Sequence, residues 1–263
     1  MTSLPGATGG PSPASGGKKP PELVVALDTS SLAEAQEWVR NLAGLVHWFK
    51  VGLELFAAAG PAALAMPRGY GARVFWDAKL HDIPHTVAGT ARQAARAGVG
   101  MLTVHAGGGP EMVEAAVAAC REEASALGVT PPLVVAVTVL TSLGPKTLAR
   151  LGLGQDAAAL AAGWASLAVA AGADGVVAAV TDVPAVRTAV GPRALIVTPG
   201  IRPAAGTGPG FTRDGPDDQA RTATPTMARS AGVDFVVVGR PITRSPSPRD
   251  AAAAILAELG ADT

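Results

Sequence analysis

Residues 73–84 read RVFWDAKLHDIP, and this stretch joins the end of one element to the start of the next. The apolar run VFW is typical of a buried strand, and Pro84 suits the first turn of a helix. Side chains two apart on a strand point to the same face, so Asp77 and Lys79 are predicted to project together, with Asp82 just beyond the strand. The stretch therefore predicts a strand that leads directly into a helix, with charged side chains at the junction.

These three charges at one strand end allow two interpretations. Charged groups are costly to remove from water unless they compensate one another, so the cluster could be a structural network of ion pairs. Charged groups in perturbed environments also concentrate at functional sites. We favour the second interpretation, in which the charges are arranged for chemistry.

From residue 23 onward, short apolar runs alternate with Ala-rich helical segments. The predicted strands are Leu23–Leu27, Trp48–Val51, Arg73–Asp77, Met101–His105, Leu133–Val139, Gly175–Ala178, Leu195–Thr198 and Asp234–Val238. Helices are predicted between them, for example Ser31–Leu45, Pro84–Ala97, Gly109–Leu127, Asp156–Ala171 and Asp217–Ala231. Near-continuous apolar strands are typical of parallel sheets covered on both faces. Eight of them predict an α/β fold, a (β/α)₈ TIM barrel; the alternative is a doubly wound open sheet, which the lack of a Gly-x-Gly-x-x-Gly motif after the first strand disfavours.

Composition limits the classes of function. Of the 263 residues 48 % are hydrophobic, and 21 basic residues balance 21 acidic ones, which argues against nucleic acid as the main partner. Residues 1–22 are rich in Gly, Pro and Ser without the apolar segment of a signal peptide, so we expect a disordered tail before a barrel domain at 23–260. Cys120 is the only cysteine, which predicts a reducing, cytoplasmic setting. The uncharged stretch 157–173 is too short and too weakly hydrophobic for a membrane span.

The barrel prediction can be checked against the polar residues, because active sites of such barrels form at the carboxyl ends of the strands. Polar or glycine residues do stand at or just after predicted strand ends: Asp28, Lys50, Asp77 with Lys79, His105, Thr141, Arg202, and Gly239 with Arg240. Their shared position predicts a single site at one end of the barrel. One cysteine and four scattered histidines show no metal-ligand spacing.

Seven short motifs follow one another along the predicted barrel. They are Ala26-Leu27-Asp28, Phe49-Lys50-Val51-Gly52, Asp77-x-Lys79-x-x-Asp82-Ile83-Pro84, Val139-Leu140-Thr141-Ser142, Thr198-Pro199-Gly200-Ile201-Arg202-Pro203, Asp218-Gln219 and Val238-Gly239-Arg240-Pro241-Ile242. In this order they resemble the orotidine 5′-phosphate decarboxylase family, and the resemblance covers Leu23 to Leu259. The chain departs from that family in a few places. His85 stands where Asn is usual, Trp76 and Ala78 replace commoner aliphatic residues, Cys120 lies outside the pattern, and the loop Ala204–Asp217 is unusually rich in Gly and Pro.

The resemblance implies decarboxylation of orotidine 5′-phosphate to UMP and CO₂, the last step of pyrimidine nucleotide synthesis, without a cofactor or metal. Loss of CO₂ from C6 leaves a carbanion in the ring plane, and most decarboxylases stabilise such charge with a cofactor or a metal. An ammonium group fixed beside C6 can instead stabilise the carbanion and then protonate it. We expect Lys79 in that role, with Asp77 facing the departing carboxylate and Lys50 and Asp82 completing an alternating set of charges. The resemblance also implies a homodimer in which Asp82 reaches the site of the neighbouring subunit.

The remaining candidates are expected to bind the nucleotide. Arg240 offers a planar donor fork to phosphate, Arg202 contacts the phosphate or braces its loop, and Gln219 reaches phosphate or base. Asp28 suits the ribose hydroxyls and Thr141 the base. The full set expected to contact substrate is Asp28, Lys50, Asp77, Ile83, Thr86, Thr141, Pro199, Arg202, Gln219, Gly239 and Arg240. Supporting hydrogen bonds are expected from His81, His85 and His105.

The connection from Pro203 to Asp218 is long and lies between two candidate phosphate ligands. Long connections of this kind are usually functional or disordered. We expect a lid that closes over the phosphate and excludes water.

Three other functions are compatible with parts of this pattern. Sugar-phosphate lyases and decarboxylases of the same superfamily, which act on hexulose or ketogulonate phosphates, share the Asp-x-Lys-x-x-Asp motif but use Mg²⁺. They carry Glu on the second strand where this chain has Lys50, and a cation there would repel a metal. The others are a non-catalytic nucleotide-binding protein and a generic phosphate-binding barrel such as an isomerase.

Overall fold

The computed structural model describes residues 19–154, 156–203 and 221–261 of the chain. Its parallel strands close into a barrel in sequence order, and β1 pairs with β8 to complete it. The strands are β1 (Glu22–Ala26), β2 (Trp48–Val51), β3 (Arg73–Leu80), β4 (Met101–His105), β5 (Leu133–Val137), β6 (Gly175–Val177), β7 (Leu195–Thr198) and β8 (Phe235–Val238). The predicted TIM barrel is confirmed, and the pairing of β1 with β8 excludes an open sheet.

Helices surround the barrel and fill the connections between its strands. They are α1 (Leu32–Leu42), α2 (Leu53–Ala59), α3 (Pro61–Arg68), α4 (Pro84–Arg96), α5 (Pro110–Leu127), α6 (Pro145–Arg150), α7 (Ala157–Ala170), α8 (Val183–Val190), α9 (Pro225–Ala231), α10 (Arg240–Thr243) and α11 (Pro248–Leu259). Many begin with Pro in the first turn, where its missing N–H costs nothing. Within the described ranges, none has both the length and the apolar character that crossing a membrane requires.

Side chains alternate between the two faces of each strand and therefore build two apolar layers. The inner layer fills the barrel and contains Val24, Ala26, Trp48, Phe75, Met101, Val135, Val197, Phe235 and Val237. The larger outer layer packs the strands against the helices. Because the interior is filled, the barrel is open to solvent only at its ends, and a site can form above the uppermost inner residues.

Several predicted element bounds are wrong, among them the end of the first helix, which is Leu42 and not Leu45. β3 continues to Leu80 instead of ending at Asp77, because the pairing with β4 is interrupted and then resumes. β5 ends at Val137, two residues earlier than predicted, where the chain leaves the barrel for the mouth. The last part of the predicted helix 217–231 is α9, which Thr224 caps by accepting a hydrogen bond from the Met227 N–H; residues 217–220 lie outside the described residues.

The single cysteine lies in the outer layer. Cys120 is fully buried on α5, and its Sγ lies 3.5 Å from the carbonyl oxygen of Ala91 on α4. Burial raises the pKa of the Cys120 thiol to about 12, and the nearby carboxylate of Asp174 adds to the effect. The thiol is therefore protonated throughout the physiological range.

Candidate active site

A cavity of about 250 Å³ opens at the carboxyl-terminal mouth of the barrel. Its floor is apolar and its walls carry charged and polar groups. Among the predicted site residues it is lined by Asp28, Lys50, Asp77, Lys79, Thr141, Pro199, Arg202, Gly239 and Arg240. Residues that are up to 212 positions apart in the chain thus share one cavity, because each lies near or after the carboxyl end of a strand that ends at this mouth.

Four of these residues form a row of alternating charge, which we call the charged row: Asp28, Lys50, Asp77 and Lys79. The Lys50 ammonium lies 3.1 Å from Asp28 Oδ1 and 3.5 Å from Asp77 Oδ2. The Lys79 ammonium donates to the same Asp77 Oδ2 at 2.7 Å. The middle of the row is the most buried part, since the side chains of Lys50 and Asp77 are each 11 % exposed, against 34 % for Lys79. The Lys79 ammonium is therefore held by the buried Asp77 carboxylate and faces the cavity.

Burial and charge oppose one another along the row, and charge prevails. Burial alone would raise the pKa of Asp77, but Lys50 and Lys79, with hydrogen bonds from Lys79 and Thr103, bring it below its ordinary value of 3.8. Burial alone would lower the pKa of Lys50, but Asp77 and Asp28 bring it above its ordinary value of 10.5. Both groups are consequently ionised across the neutral range.

The backbone under Lys79 is unusual. Its φ of 47° makes it the one non-glycine residue of the described chain with a positive φ. The left-handed conformation costs a side-chain-bearing residue about 1–2 kcal/mol, so the surroundings must hold it in place. Asp77 and Lys79 do share a face, as predicted, but the chain between them is not a regular strand. The alternation of side chains along a regular strand, on which the prediction was based, therefore explains only part of the contact between Asp77 and Lys79.

Two glycines leave room for the charged row. A Cβ on Gly239 would lie 3.3 Å from Asp28 Oδ2, and a Cβ on Gly52 would lie 3.2 Å from Lys50 Nζ. Both distances are closer than most real contacts of this kind, so a side chain at either position would push on a charged group of the site. Gly239 was predicted as a substrate contact; in the structure it also makes space for Asp28.

Several predicted residues are not brought into the cavity of this single chain. Asp82, Ile83 and Thr86 are exposed and lie outside its lining, and Asp82 Oδ1 accepts a hydrogen bond from the Ile83 N–H at 2.6 Å. Ile83 is 65 % exposed, which is high for a large apolar side chain. Gln219 lies outside the described residues, as does nearly all of the predicted lid.

The three histidines expected to support the site lie around the same end of the barrel. The rings of His81 and His105 are stacked, with centroids 5.2 Å apart. Burial lowers the pKa of His105, and the neighbouring His81 and Lys79 lower it further, so its imidazole is neutral at neutral pH. His85 is exposed on the first turn of α4. Within the described ranges, no group of three or more His, Cys, Asp or Glu residues is arranged to hold a metal ion.

The sequence interpretation missed an ion pair at the rim of the cavity. Arg221 pairs with the buried carboxylate of Asp182, and its guanidinium also lies 3.4 Å from the carbonyl oxygens of Val139 and Leu140. One side chain thus joins the segments that follow β5, β6 and β7. Asp182 could have been noticed as a polar residue shortly after the sixth predicted strand, whereas Arg221 is far from any strand end.

The comparisons with known proteins agree with this geometry. Residues 21–255 match the family described as "Orotidine 5'-phosphate decarboxylase / HUMPS family". The orotidine 5′-phosphate decarboxylase of Moorella thermoacetica is 49 % identical over 239 residues, which cover 90 % of this chain and 92 % of that protein. The corresponding protein of Anaeromyxobacter sp. (strain K) is 50 % identical over 243 residues, or 92 % of this chain and 100 % of that one.

Solved structures show the same relationship. The crystal structure of orotidine 5′-phosphate decarboxylase from Lactobacillus acidophilus superimposes with a TM-score of 0.77 at 34 % identity, and the match covers 92 % of this chain and 100 % of that one. The resemblance seen in the sequence motifs is therefore confirmed. Since the matched region takes in the whole barrel and the charged row within it, the chain belongs to the orotidine 5′-phosphate decarboxylase / HUMPS family.

Proposed function

We propose that this protein converts orotidine 5′-phosphate to UMP and CO₂, the last step of pyrimidine nucleotide synthesis. The observation that carries the proposal is the charged row, in which the buried ammonium of Lys50 is held between Asp28 and Asp77. The row ends in a second ammonium, that of Lys79, whose side chain is 34 % exposed. This arrangement suits a reaction whose difficulty is a localised negative charge.

The chemistry follows from the positions of Asp77 and Lys79. The substrate carboxylate leaves C6 as CO₂, and the electron pair of the broken bond remains on C6. The Lys79 ammonium stabilises that pair and then donates a proton to C6, which gives UMP and a neutral amine that regains its proton from water. Asp77 holds the ammonium at 2.7 Å, so little reorganisation is needed when the charge develops.

The rest of the cavity suits a nucleotide. Arg202 follows β7 and Arg240 follows β8, and both line the cavity on the side where barrels of this type often bind phosphate. Asp28 is the more exposed end of the charged row, which supports its proposed role in binding the ribose hydroxyls. Thr141 and its neighbour Ser142 line the opposite wall and are suited to the edge of the base. Gln219 is proposed as a further ligand on the resemblance alone.

We propose that the working unit is a homodimer in which Asp82 completes the site of the partner subunit. The supporting observation is a run of exposed residues from His81 to Thr86, which starts directly after the site strand and includes the exposed Ile83. An apolar side chain of this size beside a cavity favours burial against another chain. A cytoplasmic location is proposed as well, because Cys120 is a free, buried thiol of the kind found in reducing compartments.

The main alternative is Mg²⁺-dependent chemistry on a sugar phosphate. The position of Lys50 opposes it, because a buried ammonium within 3.5 Å of Asp77 occupies and neutralises the carboxylate that a cation would need. A non-catalytic nucleotide-binding protein would have no need for Lys79 to be held against Asp77. Whether the charged row catalyses a reaction, and whether that reaction needs a metal, distinguishes the decarboxylase from the Mg²⁺-dependent enzyme and from the binding protein.

The deciding experiment measures CO₂ release and UMP formation from orotidine 5′-phosphate, with and without EDTA. We expect equal amounts of both products and the same rate in EDTA. No CO₂ release would refute the proposal in favour of a binding protein. Turnover that EDTA abolishes, or turnover of a hexulose phosphate instead, would establish the Mg²⁺-dependent alternative.

A further inference from the structure

One polar side chain beside the charged row has no part in the mechanism above. Thr103 lies in the middle of β4 and is completely buried, with 0 % of its surface exposed. Its Oγ1 accepts a hydrogen bond from the Lys79 N–H at 2.8 Å and donates one to Asp77 Oδ1 at 3.0 Å. An N–H can only donate and an ionised carboxylate can only accept, so the direction of both bonds is fixed. The hydroxyl therefore links the backbone of one charged residue to the side chain of the other.

The interruption between β3 and β4 explains why this link is needed. Trp76 pairs with Leu102 and Leu80 pairs with Val104, so β3 has two more residues than β4 between the same pairs. Thr103 is the β4 residue opposite the extra segment, and Lys79 lies within that segment in its left-handed conformation. The Thr103 hydroxyl thus gives the Lys79 N–H a hydrogen bond where the ladder is interrupted.

The same hydroxyl completes the hydrogen bonding of Asp77. Oδ2 of Asp77 faces the two ammonium groups, and Oδ1 accepts the Thr103 hydroxyl proton. With each oxygen held from a different side, the carboxylate plane cannot rotate without breaking a bond. The direction of the Lys79 ammonium, which depends on Oδ2, is fixed in turn.

We propose that Thr103 is a positioning residue, which sets the geometry of the reacting ammonium by holding both the Lys79 backbone and the Asp77 carboxylate. The inference rests on the proposed function, since it concerns residues of that reaction. Thr103 does not line the cavity, so it acts through its neighbours and not on the substrate.

The test compares Thr103→Val, which removes the hydroxyl at nearly constant volume, with Thr103→Ser, which keeps it. The matched control is Thr138→Val, because Thr138 is also buried at this end of the barrel and donates to the Val177 carbonyl at 2.8 Å without contacting the charged row. Thr103→Val should lower kcat by at least about tenfold with little change in KM, since a small misplacement of a reacting group is that costly. Thr103→Ser and Thr138→Val should stay close to the parent kcat.

A purely structural role would give a different result. It would lower the thermal midpoint of Thr103→Val and leave kcat per folded molecule unchanged, which would overturn the proposal. UMP affinity is the second readout, and we expect it to be unchanged in Thr103→Val because UMP has no C6 carboxylate. Equal losses in kcat for Thr103→Val and Thr138→Val would also overturn the proposal.

Hydrogen exchange of the Lys79 amide tests the link without any turnover. In the parent protein this amide should exchange slowly, and it should exchange at least about tenfold faster in Thr103→Val. Rapid exchange in the parent would refute the inference even if Thr103→Val failed to fold. If the parent protein released no CO₂, the proposed function would fail, and the exchange of this amide would still decide whether Thr103 holds Lys79.

Discussion

Lys79 combines a catalytic side chain with a strained backbone, and substitution can separate the two. Replacing Lys79 with Ala removes the ammonium but keeps a Cβ in the left-handed region, whereas Gly removes both. Both variants should lose several orders of magnitude in kcat, as expected when a major electrostatic contribution is removed. Lys79→Gly should be more stable than Lys79→Ala by about 1 kcal/mol, because glycine adopts a positive φ without strain.

The measurements are CO₂ release, UMP affinity and urea denaturation. Lys146→Ala is the control, because Lys146 is an exposed lysine on α6 that does not line the cavity. It should match the parent protein in all three measurements. Near-normal turnover by either Lys79 variant would show that this ammonium is not the reacting group.

Asp77 makes the free energy of unfolding depend on pH in the acid range. Its pKa in the folded state lies below the ordinary value of 3.8, so the ionised carboxylate stabilises the folded state above that value and loses this effect as the pH falls through the lower, folded pKa. Asp77→Asn cannot titrate. The difference in free energy of unfolding between the parent and Asp77→Asn should therefore be constant near neutral pH and shrink below about pH 4.

Denaturation curves at a series of pH values measure this difference directly. Lys50 does not confuse the result, because its raised pKa means that its contribution is complete below 10.5 and is lost only in more alkaline solution. A difference that stays constant down to the acid transition would mean that Asp77 is not held ionised by its neighbours.

Three members of the charged row were predicted as an alternating set, but Asp28 was expected only at the ribose hydroxyls, and the way the row is held was not predicted. Asp77 and Lys79 could be identified because charged residues directly after an apolar strand are conspicuous. Thr103 could not, since one threonine within MLTVH is an ordinary strand residue. The left-handed Lys79 gives no local signal either, because tertiary hydrogen bonds impose that conformation against the preference of lysine.

Between strands and helices, the site depends on the segments that follow β5 to β8. Arg221 and Asp182 connect three of these segments in space, and the contact joins positions 39 residues apart. The strand-end rule predicted which segments meet, because it follows from the barrel. It could not predict this ion pair, since the position of Arg221 depends on the course of a long connection and not on any periodic pattern.

At the β8–α10 junction, Arg240 allows the phosphate contribution to be measured separately. Arg240→Ala should lower kcat/KM for orotidine 5′-phosphate by at least about tenfold, as expected for loss of a charge-assisted hydrogen bond. It should have almost no effect on orotidine, which lacks the phosphate. Arg244→Ala is the matched control, because Arg244 is exposed at the other end of the same short helix and does not line the cavity.

Steady-state kinetics on the two substrates provide the comparison. Binding energy from the phosphate would be used at C6, far from where it arises. If both substrates lost the same factor in Arg240→Ala, the arginine would support the barrel and not the phosphate.

For the whole molecule, the fold was predicted more completely than the assembly. Eight apolar runs were enough to indicate a barrel, since a parallel sheet of that size covered by helices has few other solutions. Ile83 and Asp82 were predicted as site residues from motifs, yet in the single chain they face solvent. No local pattern states which exposed residues meet a second copy, so the homodimer stays a prediction.

Mixed dimers test that prediction. Asp82→Ala and Lys79→Ala homodimers should each be inactive, and a purified heterodimer of the two should recover up to about half of the parent activity. The reason is that one of its sites would combine an intact Lys79 with an intact Asp82 from the partner. A heterodimer of Lys79→Ala and Lys50→Ala is the control and should recover nothing, since both residues belong to the same chain's site. An inactive first heterodimer would place Asp82 in the site of its own chain.

The buried thiol of Cys120 allows the rate of local opening in the helical shell to be measured. Only the thiolate reacts with disulfide reagents, and Cys120 has a pKa of about 12 in the folded chain, so modification must wait until α4 and α5 separate. Because Cys120 is the only cysteine, a disulfide reagent that releases a coloured thiolate should give a single-exponential rise in absorbance. Its rate constant would report how fast α4 and α5 separate. If the two helices separate only when the site at the barrel mouth is disrupted, UMP should slow the modification of Cys120, and the effect should grow with the fraction of sites that UMP occupies. A rate that UMP does not change would mean that the helical shell opens while the site stays assembled.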